Sequence, residues 1–183
     1  MNATRSTVVN FVWFQAAWWG VVLLAQKQFF NVSASLLITI LLLTVHFIVF
    51  YKNAKRDLQL MLVIGAMGYA LDSLLFYLGV FSFFHASPPL APLWIFCLWL
   101  VFPLSLPYSM NWLQGRLALA LVFGAVGGPV TYFAGEKLSL MEFMNPKWGA
   151  FLILAVVWAV LIIVLLKILK IISLKAERRA HGN

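Results

Sequence analysis

Apolar residues fall into six long runs separated by short polar punctuation: Val8 to Ala25, Ala34 to Tyr51, Leu58 to Val80, Leu90 to Leu106, Leu117 to Gly135 and Gly149 to Ile172. A helix rises about 1.5 Å per residue, so runs of this length suit the ~30 Å hydrocarbon core of a bilayer. Only helices and closed barrels satisfy their own backbone there, and nothing in these runs alternates as a barrel strand would. The pattern predicts an all-α, polytopic membrane protein: one domain spanning residues 1–183, a bundle of six transmembrane helices with a basic tail over 173–183.

Proline and glycine mark places where the runs should depart from plain helix. Pro103 lacks the N–H that the carbonyl of Trp99 would take, and Pro129 does the same to Ala125. Ser87, Pro88 and Pro89 suit a helix start for the fourth run. Gly124, Gly128, Thr131 and Gly135 share one face of the fifth, which predicts a close-packed neighbour. The longest loop, from Glu136 to Trp148, is the expected mobile element. The sixth run has no polar side chain from Gly149 to Leu166, which suits a lipid-facing position.

Composition agrees with a membrane span and excludes an ordinary soluble domain: 64% of residues are hydrophobic, 10% are charged, and the mean hydropathy is +0.98. The net charge of +8 is not a nucleic-acid signature, because no basic run is interleaved with stacking aromatics. It orients the bundle instead. Arg5, Lys52, Lys55, Arg56, Arg116, Lys167, Lys170, Lys175, Arg178 and Arg179 fall on one side and Lys27, Lys137 and Lys147 on the other, 10 of the 13 basic residues against 3. The positive-inside rule then places both termini in the cytoplasm. Arg5 ahead of an apolar run also raises a signal peptide, but Asn10, Gln15 and the lack of a small-residue cleavage site favour a retained helix.

Asp72 carries the strongest functional signal, as the one carboxylate inside an apolar run. A charge at bilayer depth costs roughly 2.5–3.5 kcal/mol on insertion scales, so such a group faces protein, pairs or stays protonated. Helical spacing puts Gly65, Gly68, Tyr69, Leu75, Phe76 and Gly79 on its face, a glycine-rich stripe where another helix can approach. A structural hydrogen bond and a ligand- or proton-handling role are both open readings. His46 is the other ionisable group within a run, on one side of its helix with Ser35 and Thr39. It lies ~9 Å from the Lys52 end, whereas Asp72 lies ~22 Å from Asp57, so spacing does not support a catalytic dyad although both remain acid–base candidates. Asn10 enters from the same side as His46, and a polar contact between them forms a secondary cluster. Depth also predicts a ligand pocket in the outer half of the bundle, built from Asp72, Trp94 and Tyr132 and covered by the loop that begins at Glu136.

Cys97 is the single cysteine, so it offers neither a disulfide nor a cysteine metal site and reads as a packing residue. No histidine cluster, nucleotide loop, GxSxG or HExxH occurs, and no cofactor or metal is expected.

Several pieces together resemble the small bacterial membrane proteins grouped as a domain of unknown function, number twenty-eight seventy-eight. They are NFVWFQ from Asn10 to Gln15, His46, GYALDSLL from Gly68 to Leu75, PLW from Pro92 to Trp94 with Leu98 and Trp99, and GPVTYFAG from Gly128 to Gly135. The resemblance implies the bacterial inner membrane and a setting in membrane fatty-acyl modification, with lipid-modifying enzymes as partners. It assigns no catalytic residue. The expected function is therefore a membrane protein that binds a lipidic or hydrophobic molecule or assists acyl modification. A small transporter using Asp72 and an intramembrane lipid-modifying enzyme using His46 and Asp72 are the alternatives. The few scattered polar groups weigh against an enzyme.

Overall fold

The computed structural model describes residues 2–26, 32–84 and 86–181. Lys27, used above in the charge split, lies outside them. Among the described residues are six α-helices: α1 (Ala3–Gln26), α2 (Val32–Val49), α3 (Ala54–Tyr77), α4 (Leu93–Val101), α5 (Leu117–Lys137) and α6 (Lys147–His181). Four stretches, Thr4–Gln26, Tyr51–Tyr77, Leu117–Lys137 and Lys147–Arg178, are long and apolar enough to cross a membrane; Ala34–Val49 and Leu93–Ser105 are shorter apolar helices. Their outer surfaces are apolar too, with Leu37 and Ile48 each 67% exposed. A continuous surface of that kind is stable against lipid and a liability in water.

The expected fourth run is the one the structure shortens most. Leu90 to Leu106 contracts to the nine residues of α4, preceded by Pro92 in extended conformation and followed by a 3₁₀ turn over Phe102–Ser105. Pro103 removes the i→i−4 bond to Trp99, and the chain tightens at that point. This irregular piece is tolerated because protein surrounds it. α1, α2 and α3 all pack on α4, and Cys97, Val101, Leu104 and Leu106 are fully buried. Backbone that leaves the helical ladder survives at membrane depth only in such shelter.

α6 departs from expectation in two ways. It continues as one helix of 35 residues through most of the stretch expected to be a basic tail. It also packs along α5 and α3, burying Ala150, Leu154, Ile162, Leu165 and Leu169, and leaves only its other side, with Leu152, Val156 and Val160, exposed. An all-apolar helix can bury one face and offer the other to lipid, which composition alone does not distinguish.

The loop from Glu136 to Trp148 contributes one strand of a two-stranded ribbon. Phe81–Phe83 (β1) pairs antiparallel with Met141–Phe143 (β2), Phe81 opposite Phe143, Ser82 opposite Glu142 and Phe83 opposite Met141. Side chains alternate across a strand, so Phe81, Phe83, Met141 and Phe143 point into the core while Ser82 and Glu142 point out. The ribbon closes the end of the bundle where α3 and α5 finish and α4 and α6 begin. The starts of α1, α3 and α5 lie at the opposite end.

Candidate functional site

Asp72 sits on α3 about 8 Å from its ribbon-end terminus. It is 3% exposed, and each carboxylate oxygen accepts one hydrogen bond: Oδ2 from Trp99 Nε1 at 2.7 Å, Oδ1 from the Tyr132 hydroxyl. Three elements thus meet on one side chain. The sequence explains how bulky donors reach it. A Cβ on Gly68 would be driven into the Trp99 indole, and a Cβ on Gly128 into the Trp158 indole. Those two indoles lie parallel, 5.7 Å apart and 13° from coplanar. On Asp72's own face Gly68 is therefore a seat for an aromatic ring, while Gly65 lets the backbone of α4 approach, its nearest neighbour being the Trp99 carbonyl. Gly79, expected on the same stripe, lies past the end of α3 with φ +73 and belongs to the turn.

Beside this carboxylate is a cavity of about 340 Å³. α1 and α5 form its two sides, with Trp18 and Trp19 on one and Gly127, Gly128 and Thr131 on the other, over a floor of Trp94 and Trp99 from α4. Leu140 and Met141 bound it at the ribbon end, Phe102 and Met110 toward the opposite end. Gly127 holds the space open, since a Cβ there would meet only the Phe123 ring at 3.9 Å. Thr131 Oγ1 donates to the Gly127 carbonyl at 2.8 Å and so satisfies itself within α5.

Three of the four expected pocket residues, Asp72, Trp94 and Tyr132, line this one cavity; Glu136 does not. Glu136 accepts from Lys147 Nζ at 2.8 Å and from the Phe143 amide, fastening the ribbon to the start of α6. A carboxylate one position before the end of α5 has a cation within reach and no reason to turn inward.

His46 belongs to a separate cluster at the opposite end, and its carboxylate partner is Asp57, not Asp72. Both His46 and Asp57 are fully buried. Asp57 Oδ1 accepts from Arg56 Nε and Nη2 at 2.9 and 2.8 Å; Oδ2 accepts from His46 Nε2 at 3.0 Å and the Tyr108 hydroxyl at 2.6 Å. A carboxylate only accepts, so the shared proton sits on Nε2, and Nδ1 has no partner among the described residues. Burial first, then the charge of Asp57 and the hydrogen bond to it, pushes the Tyr108 hydroxyl well above its ordinary range, which keeps it a donor. The expected Asn10–His46 contact is replaced by two neighbouring ones. Asn10 donates to the Leu104 carbonyl at 3.0 Å and accepts from Ser109 Oγ at 2.8 Å, while the Trp13 ring lies 4.7 Å from the imidazole. The broken backbone after α4 offers Asn10 a carbonyl and a hydroxyl that the imidazole does not outbid.

Asp57, Arg56, Tyr108 and Ser109 escaped the sequence reading, which took Asp57 as a marker of the helix end. A usable signal was present. Asp57, Leu60 and Ile64 are spaced three and four apart, and all three are fully buried on one face of α3.

Residues 7–164 match the family described as "Protein of unknown function (DUF2878)". The chain belongs to that family. No curated protein and no solved structure matches it. The matched stretch contains both buried carboxylates and every residue that lines the cavity. For this DUF2878 chain, then, the cavity and the two polar clusters lie in the part that defines the family, and the end of α6 lies outside it. Among the described residues no group of three or more His, Cys, Asp or Glu side chains is placed to hold a metal ion. What the arrangement offers chemically is an apolar, aromatic space with one carboxylate at its wall.

Proposed function

We propose that this protein is an integral inner-membrane protein of six spans that holds a lipidic or other hydrophobic molecule, taken from the bilayer, in the cavity between α1 and α5. One observation carries the reading: a space of about 340 Å³ with walls of tryptophan and glycine and a single carboxylate. Small-molecule sites have this character, mostly apolar with a few convergent polar groups, and the volume is at the lower end of their range. α1 packs on α2 and α4 while α5 packs on α6, so the sides of the cavity belong to different helix groups. Such a seam is a natural lateral entrance for a molecule that lives in lipid.

A transporter using Asp72 has less support, because Trp99 and Tyr132 each donate to Asp72 and anchor it as part of the packed wall between α3, α4 and α5. Paired acid–base catalysis by His46 and Asp72 has less again, since the two side chains belong to different clusters. The acyl-modification setting implied by the family resemblance fits an accessory that presents or sequesters a chain, and the acyl-chain profile of a deletion strain against wild type tests that setting.

Binding itself is tested with a photoactivatable alkyl probe, a long chain bearing a diazirine, added to the purified protein and mapped by peptide mass spectrometry. Labelling should concentrate on α1 and α5, and Gly127→Phe, whose ring would fill the space, should reduce it about tenfold, the equivalent of some 1.4 kcal/mol. Labelling spread over outward faces such as that of α2, unchanged by Gly127→Phe, would sink the proposal.

A further inference from the structure

We propose that the bound molecule is an uncharged amphiphile whose head is a hydroxyl donating a hydrogen bond to Asp72, with its tail laid along the side of α5 that Gly127 leaves open. The inference rests on the binding reading above and narrows it to a ligand class.

The polar inventory of the cavity decides the head group. Among the described residues its lining includes no Lys, Arg or His; the polar side chains are Gln15, Asp72, Thr131 and Tyr132, with the indole N–H groups of the lining tryptophans beside them. A phosphate or carboxylate head would find no cation there to offset its loss of hydration in a low-dielectric setting. Asp72 is also restricted in what it can offer. Trp99 donates to one oxygen and Tyr132 to the other, so what each oxygen has left is lone-pair capacity, and it can take a donor but not serve an acceptor. Thr131 is engaged with the Gly127 carbonyl. A head that bonds to Asp72 must therefore bring its own N–H or O–H. An ammonium would bring one too, but only after losing its hydration at membrane depth, a cost of several kcal/mol per ion that a hydroxyl avoids. The hydroxyl is the chemistry that fits.

Orientation follows from where the carboxylate sits. Asp72 lies near the ribbon end of α3, and the cavity extends from Leu140 and Met141 at that end to Met110 toward the other. Along α5 the lining runs from Gly135 to Phe123, about 18 Å of helix, with Gly127 the glycine that borders open space and Val130, Thr131 and Ala134 beside it, while Gly124 and Gly128 are filled by α6. That surface is smooth and apolar, suited to an extended chain. The head is then held beneath the ribbon and the tail points away from it.

The test uses three photoactivatable probes with the same diazirine chain and different heads: a primary alcohol, a methyl ester and a carboxylate, the last at a pH that ionises it. With the wild-type protein the alcohol should label the cavity about tenfold more efficiently than either of the others, as expected for one hydrogen bond to a buried acceptor. Asp72→Asn should bring the three probes to similar labelling while the tail still marks α5. Because the wild-type ranking needs no variant, a folding defect in Asp72→Asn leaves the result readable. Equal or stronger labelling by the carboxylate or the ester would overturn the head-group assignment while leaving the binding site standing. Failure of all three probes to mark the cavity would overturn both.

Discussion

Asp57 and Asp72 both lie on the buried side of α3, yet the first is held by four donor groups and the second by two. Removing one partner from a buried charged set strands the rest, which typically costs 3–5 kcal/mol, whereas losing one hydrogen bond costs about 1–3 kcal/mol. Asp57→Ala should therefore destabilise the protein by about 3 kcal/mol, at the low end because Arg56 reaches partly into solvent. Tyr132→Phe should cost about 1–2 kcal/mol and leave Asp72 with one donor. Cys97 is fully buried and is the chain's one cysteine, so a fluorogenic thiol dye reports unfolding of the detergent-solubilised protein directly. If Asp57→Ala unfolds at the wild-type temperature, the cluster at that end contributes no net stability. Asp72 was legible from sequence because an acid in an apolar run has no neutral explanation. Asp57 was not, because an acid beside Lys55 and Arg56 looks like an interfacial charge until its helical face is traced to Leu60 and Ile64.

Between elements, glycine does two opposite jobs in this bundle. Gly68 and Gly128 are filled to contact by indole rings, while Gly127, one position away on α5, borders open space. Gly68→Ala should force the Trp99 ring off Asp72 and cost about 1–3 kcal/mol of overpacking strain. Gly127→Ala should be neutral or stabilise by up to about 1 kcal/mol, since it replaces a mid-helix glycine without a clash. The same dye melt compares the two, and equal losses would mean that the close approach at Gly68 does not govern packing. Hydropathy located the helices well because each must bury or solvate a whole run in lipid. It overran α4, where Pro103 stops the helical ladder and the surrounding helices make the stop tolerable. It also missed the ribbon. Strands of three residues leave too short an alternation to read, and their pairing joins segments far apart in sequence.

At the scale of the whole molecule, length and charge together fix an expected orientation. α6 is 35 residues, about 52 Å of helix. The hydrocarbon core takes only ~30 Å of it, so the end carrying Lys175 and Arg178 must project from the bilayer. That end lies with the starts of α1, α3 and α5, as does Lys52, and this is the side richer in basic residues. The ribbon, with Ser139 in the turn before β2, is on the other. The positive-inside rule then assigns the projecting end to the cytoplasm. A periplasmic phosphatase inserted at Ser139 should be active, and the same enzyme placed after Lys52 or after Asn183 should be inactive. The Lys52 position is the sensitive one. α2 has 18 described residues, about 27 Å, just short of the core thickness, so a phosphatase active at Lys52 would mean that α2 does not complete its crossing. That result would leave α1 as the lone crossing before α3, with the end of α2 on the side opposite the start of α1. The buried contacts of His46 with Asp57 and of Asn10 with Ser109 argue against such a separation. They tie the end of α2, the start of α3 and the start of α1 to one end of the bundle.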